Sequence, residues 1–258
     1  MVEIRNLNYK SILKDINIKF QKNSINYISG SNNSGKSTLI RILGGLIDVE
    51  NTVFIDDIDL YGISPYEKDD IIGTVLLPNS DTFKYTTLYQ EGMAILDNLN
   101  NKENIIKEYN LLLDKFRLNY YLTMDIDELS IDVIVKFLIV TKLCFKPKVL
   151  VLDNVFDLMS KKEREDLIEK LLSYNDLTII MSSNDLDLSK YANYLCILDK
   201  GEVYLEGERD KVLKEDGKLN KIGLDLPFMV DLSVKLNYYD LLDGIELNMD
   251  RMVDQIWK

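Results

Sequence analysis

The 258-residue chain contains no histidine at all. That removes the commonest general base at neutral pH and the commonest protein metal ligand, so histidine-based catalysis and histidine-held metal are excluded. Cysteine is scarce: Cys144 and Cys196 both sit in apolar runs and read as reduced core residues. A disulfide scaffold, a cysteine metal site and a redox pair are therefore not expected. Positive charge is also in deficit, with 31 Lys and Arg against 43 Asp and Glu and a net charge of −12. This argues against nucleic acid or anionic lipid as a direct partner of the general surface, although a local cationic nucleotide site is compatible with it. The N-terminus shows neither an apolar run of membrane-spanning length nor a charged-then-apolar leader, so the chain is expected to be soluble and cytoplasmic. Any membrane role would run through another protein. What is present is ample apolar material, 46% of the residues, enough for one large α/β domain with a small appendage.

The most informative stretch is Gly30-Ser31-Asn32-Asn33-Ser34-Gly35-Lys36-Ser37-Thr38, set between the apolar runs Ile25–Ile28 and Leu39–Leu43. A buried strand that turns abruptly into a helix through such a segment is a phosphate-binding loop. Glycines stand where side chains would block the phosphates, and backbone N–H groups and the helix N-terminus face the anion. Lys36 would reach the β- and γ-phosphates, and the Ser37 hydroxyl would ligate Mg²⁺.

Around this loop the chain reads as alternating strands and helices. Val2–Tyr9 and Ile12–Phe20 alternate as half-buried strands; Tyr9 is either the aromatic that stacks on an adenine ring or an ordinary strand tyrosine. Asn51–Leu60 reads as a hairpin strand ending in an acidic turn, and Ile71–Leu77 as a strand closed by Pro78-Asn79-Ser80-Asp81. From about 83 to 145 the period becomes helical, which marks an inserted helical subdomain. Lys148–Asp153 is then a fully buried strand ending in a carboxylate, where Asp153 would hold Mg²⁺ through a water, opposite Ser37. A helix over Arg164–Leu172, a strand over Leu177–Met181 and a hairpin about Lys200-Gly201 follow. Beyond about Asp216 the pattern breaks before an amphipathic tail, in which Met252, Ile256 and Trp257 form either a docking surface or a packing face.

With these motifs in this order, the sequence resembles the nucleotide-binding subunits of ABC transporters from Val2 to about Val212. The tail Gly223-Leu224-Asp225-Leu226-Pro227-Phe228, with a later helix ending in Ile256-Trp257, looks like the C-terminal extension of energy-coupling-factor transporter ATPases. The resemblance implies a P-loop ATPase fold with a mixed central sheet, an N-terminal antiparallel β-subdomain, the helical insertion and a small extension. Residues 1–215 would be the nucleotide-binding domain and 216–258 an extension that could serve dimerisation. It also implies Mg·ATP as ligand, a second ATPase subunit, and an integral membrane component contacting the region about 77–99, including Phe83, Leu88 and Asn98. The subunit would then lie peripherally on the inner face of the membrane.

Against that family the chain departs at the catalytic positions. Leu77 stands where the resemblance implies a glutamine that senses Mg²⁺ and the attacking water. Leu129-Ser130-Ile131-Asp132-Val133 replaces the Leu-Ser-Gly-Gly-Gln signature. There Asp132 would oppose a triphosphate by ~3 kcal/mol at ~5 Å and an effective dielectric of ~20, unless the loop moves away. Asn154 stands for the glutamate that polarises water, Ser160 for the interface aspartate and Asn184 for the switch histidine. An amide cannot accept the proton, and losing such a base typically removes ~10²- to 10⁴-fold in rate. Neighbouring acids such as Asp157 could take the role over.

The leading expectation is a subunit that binds Mg·ATP, has impaired hydrolysis and pairs with a competent ATPase in a heterodimer. A second is a non-hydrolysing, ATP-dependent binding or regulatory module without a membrane partner. A third is a structural partner that no longer binds nucleotide.

Overall fold

The computed structural model describes residues 1–97 and 102–257. The chain begins with β1 (Val2–Tyr9), β2 (Leu13–Phe20), β3 (Ile25–Gly30) and α1 (Lys36–Leu43). A hairpin of β4 (Val53–Ile55) and β5 (Ile58–Asp59), a short α2 (Pro65–Asp69) and β6 (Ile72–Leu76) come next. The helical region holds α3 (Leu88–Asp97), α4 (Lys102–Lys115) and α5 (Ile131–Leu143). Then follow β7 (Val149–Asp153), α6 (Lys161–Leu172), β8 (Thr178–Ser182), β9 (Tyr194–Asp199) and β10 (Glu202–Glu208). The C-terminal helices are α7 (Arg209–Leu213), α8 (Asp216–Lys221), α9 (Phe228–Tyr238) and α10 (Met249–Ile256).

Two sheets result. The smaller, in the order β2-β1-β4-β5, is antiparallel; its β4–β5 turn is Asp56-Asp57, both at positive φ as a two-residue hairpin turn requires. The larger has the order β10-β9-β3-β8-β7-β6, parallel except for the outer β9–β10 pair. Its strands β3, β7 and β8 are buried along their whole length, which is why they read as continuous apolar runs. Because side chains alternate across a strand, β7 sends Leu150 and Leu152 into one core and Val149 and Val151 into the other. The first core carries the helical region, with Phe116, Phe137 and Ile139; the second joins α1 to the smaller sheet through Leu39, Leu43 and Phe20. α1 is thus held between the two sheets, and the loop before it opens at the C-terminal ends of the parallel strands.

Several local expectations shift. Helix α6 starts at Lys161, three residues earlier than the apolar pattern placed it, because the Ser160 hydroxyl accepts from the Glu163 N–H and caps the first turn. Residues 216–221, read as a break, form α8, anchored by the fully buried Leu219. Leu88 and Leu96 face the helical core, and a Cβ on Gly92 would lie 2.1 Å from the Tyr109 hydroxyl, so α3 and α4 cross closely there. Asn98 and Leu99 lie outside the described residues. Cys144 and Cys196 are free and buried; burial pushes the Cys144 thiol up to about 12 and raises that of Cys196 as well, so both are inert. Among the described residues no helix is long and apolar enough to cross a membrane.

In the tail, α9 fixes the returning segment: the Ser233 hydroxyl donates to the Glu246 carbonyl, and the Asn237 amide to that of Gly244. Its last helix divides in two. Met252 is 1% exposed, whereas Trp257 is 81% exposed. Met252→Ala should therefore destabilise the protein by about 2–5 kcal/mol in denaturant unfolding, whereas Trp257→Ala should stay within about 0.5 kcal/mol of the unsubstituted chain.

Candidate functional site

The site is built from the ends of β3, β7 and β8. Gly30 ends β3 at φ +154°, and a Cβ there would lie 2.1 Å from the Leu198 carbonyl oxygen. Gly35, at φ +97°, stands at the N-cap of α1, where a Cβ would meet Leu13 Cδ2 at 2.7 Å. The helix begins with no side-chain cap and no acidic residue in its first turn, so its leading N–H groups and positive dipole end remain available to an anion.

The loop is braced from within and from below. Lys36 Nζ donates to the carbonyls of Gly30 at 2.8 Å and Ser31 at 2.9 Å, which leaves the third of an ammonium's N–H groups for another acceptor. Burial pushes the Lys36 pKa down, and the nearby Asp153 and Asp157 oppose that shift. The Ser31 hydroxyl donates to Asp199 Oδ1 at 2.6 Å, and the Gly201 N–H to the Ser34 carbonyl at 3.1 Å. Asn33 takes positive φ, while Asn32, Asn33 and Ser37 are exposed and Thr38 is half-buried. The Ser34 hydroxyl is buried without a hydrogen-bond partner among the described residues, as expected of a donor waiting for a ligand.

A cavity of about 440 Å³ lies over the loop, lined among the described residues by Ile12, residues 32–38, Asn154 and Asn184. Asp153 ends β7 beneath this wall. Its Oδ1 accepts from the Ser182 hydroxyl at 2.6 Å and from Asn154 Nδ2 at 3.1 Å. Burial raises the Asp153 pKa, and the Ser182 bond, Arg41 and Lys36 counter it. Asn154 sits at positive φ with its N–H held by Ser182. Because a carboxylate only accepts, it fixes the amide with NH₂ inward and leaves Oδ1 buried and unpartnered among the described residues. The substitute base considered from sequence, Asp157, is not in the wall. Its carboxylate accepts from the Ser183 hydroxyl and the Asn184 N–H, and burial raises its pKa.

The remaining sequence candidates are distributed as follows. Tyr9 ends β1, packs on the core beneath α1 and carries the Lys10 ammonium 5.0 Å above its ring; Ile12, not Tyr9, lines the cavity. Leu77 is 36% exposed, and its N–H donates to the Asp153 carbonyl at 3.1 Å. Ser130 opens α5 without a side-chain cap bond. Asp132 is not directed outward: its Oδ1 accepts the Ser160 N–H at 3.1 Å, and next to it Lys136 pairs with Glu163. The signature segment is thus tied to the start of α6 in the same chain. Ile12, Ser182 and Asp199 were missed by sequence reading. Only Asp199 had a local signal, its place before the Lys200-Gly201 turn.

Comparison with known proteins adds four findings. The ABC transporter family matches residues 13–157. The energy-coupling factor transporter ATP-binding protein EcfA of Pediococcus pentosaceus is 26% identical, covering 100% of this chain and 96% of its own. The EcfA1 protein of Bacillus licheniformis is 27% identical over 89% of this chain and 84% of its own. Among solved structures, cbiO1 of Clostridium perfringens, part of the ABC transporter complex cbiONQ, superposes with a TM-score of 0.72 at 22% identity, covering 90% of this chain and 97% of that one.

Removing the Lys36 ammonium takes away a charged donor and frees two loop carbonyls. Lys36→Ala should weaken Mg·ATP binding by about ten- to a hundredfold in calorimetric titration, with the circular dichroism spectrum unchanged.

Proposed function

The chain belongs to the ABC transporter family, and from that membership we propose that it is an ATP-binding subunit of an energy-coupling-factor type transporter, one that holds Mg·ATP but hydrolyses it poorly by itself. The glycine cradle, the open start of α1 and the unpartnered Ser34 hydroxyl suit a phosphate chain. In this reading residues Gly30 to Thr38 take the phosphates, Ser37 and Asp153 take Mg²⁺, and Tyr9 remains the candidate for the adenine face once Lys10 moves aside. Bound Mg²⁺ would neutralise charge on the phosphates.

One observation carries the impaired hydrolysis. Asn154 occupies the position of the family's glutamate and lines the cavity, with its Nδ2 donating to Asp153 and its Oδ1 buried. An amide at that position cannot take a proton from water. Asn184, at the switch position, can donate to a phosphate and cannot titrate. With Asp157 engaged by Ser183 and Asn184, no carboxylate lines the cavity among the described residues.

A chain deficient in base and signature weakens both composite sites of a homodimer, which favours a competent ATPase subunit as partner. The exposed Met249, Val253 and Trp257 of the tail lie four residues apart on one face of α10 and its end, and offer that partner a contact. In this arrangement residues 1–215 bind the nucleotide and 216–258 form the extension. For the membrane component, a groove of about 470 Å³ runs between the turn after β6, with Pro78, Phe83 and Tyr85, and the segment holding Ile126, Leu129 and Ile134. This suits a cytoplasmic helix of an integral membrane protein, and in this reading the subunit lies peripherally on the inner face of the membrane.

Co-expression with a competent ATPase and a membrane component tests the reading: ATPase activity should require all three polypeptides. Turnover at family rates by the isolated chain, lost on Lys36→Ala, would refute it. A stable soluble homodimer retaining ATP, with no membrane protein co-purifying, would support the regulatory-module alternative instead.

A further inference from the structure

We propose that Tyr27 is the positioning residue for the turn that carries Asn184, and that its hydroxyl sets how strongly this chain prefers ATP to ADP. The inference rests on the reading of the site as a Mg·ATP site. Tyr27 lies in β3, the strand that feeds the phosphate loop, and is fully buried. Its hydroxyl donates to the Asp185 carbonyl at 2.8 Å, with the Ser183 carbonyl at 3.2 Å as a second acceptor. These carbonyls flank Asn184 on either side. Two residues further along β3, on the same face, the Ser29 hydroxyl donates to the Ser183 carbonyl at 3.3 Å.

The turn is clamped from its other side as well. The Asp157 carboxylate accepts from the Ser183 hydroxyl and the Asn184 N–H, and Arg164 Nη1 lies 3.3 Å from Asp185 Oδ2. What remains free to reach into the cavity is the exposed Asn184 side chain. A phenylalanine at position 27 would fill the same space between strands, so the hydroxyl adds only the location of the turn. Burial pushes the phenol's pKa far up, which keeps it a donor throughout the working pH range. The strand that enters the phosphate loop and the turn that brings Asn184 to the cavity are therefore tied directly to each other. If the phosphate chain runs from the loop across the cavity toward Asn184, a contact there serves a triphosphate more than a diphosphate, and its placement reads out as discrimination between the two.

Titration of the full chain with Mg·ATP and Mg·ADP tests this. Tyr27→Phe should lower the ratio of ATP to ADP affinity by about two- to tenfold, with ADP affinity unchanged. Ser29→Ala, a milder substitution, should lower it less and in the same direction. Asn184→Ala should lower the ratio too, and adding Tyr27→Phe to it should cause no further loss, since both act through one contact. An unchanged ratio in Tyr27→Phe, equal weakening of both nucleotides, additive effects in the double variant, or a wild type with no preference for ATP would each overturn the inference. Failure of the wild type to bind either nucleotide would overturn the parent reading, and this one with it. Binding of both with the ratio untouched by Tyr27→Phe would refute this inference alone.

Discussion

The ammonium of Lys36, folded back onto the carbonyls of Gly30 and Ser31, is the interaction on which the site depends. It is made between a strand end and the first residue of a helix, and it closes the loop on itself. That closure requires α1 to be held between two sheets, and so it requires the buried alternation of β3, β7 and β9 that supplies both cores. It also requires glycine at the two places where a Cβ would strike Leu198 or Leu13. The Ser31–Asp199 and Ser34–Gly201 bonds then hold the loop's back, so the cradle has its shape before any ligand arrives.

Binding and hydrolysis make separable demands on such a site. Binding needs donors and a cation, and the loop, α1 and Lys36 supply them. Hydrolysis needs an acceptor basic enough to take a proton from water at the right spot. At that position the chain has the amide of Asn154, and the buried carboxylates Asp153 and Asp157 are occupied by Ser182, Asn154, Ser183 and Asn184. Asp132 shows the same economy: a charge that would repel a phosphate chain instead accepts an amide of its own chain.

The parts of this arrangement legible in the sequence were those encoded by local pattern. The strand-loop-helix around residues 30–38, the acid-ended strand and the helical stretch each have a period or a motif, and the structure has strands and helices at those places. What escaped reading depends on contacts far apart in the chain. Asp132 meets Ser160 across 28 residues, and Tyr27 meets Asp185 across 158; no spacing rule announces either. Ile12 enters the cavity wall because the β1–β2 turn lies over α1, a matter of sheet packing. The early start of α6 was in the sequence all along, as a serine three residues before a glutamate, and was passed over because the apolar period begins later. Leu88 reads from sequence as part of a contact surface, but its helix turns it inward.

The central claim is that nucleotide is gripped without being split, and one measurement addresses it directly. The isolated chain is incubated at length with Mg·ATP, freed of unbound nucleotide, and its bound nucleotide is released and identified. The account predicts intact ATP at near one equivalent per chain. ADP in its place, or no nucleotide at all, would contradict it.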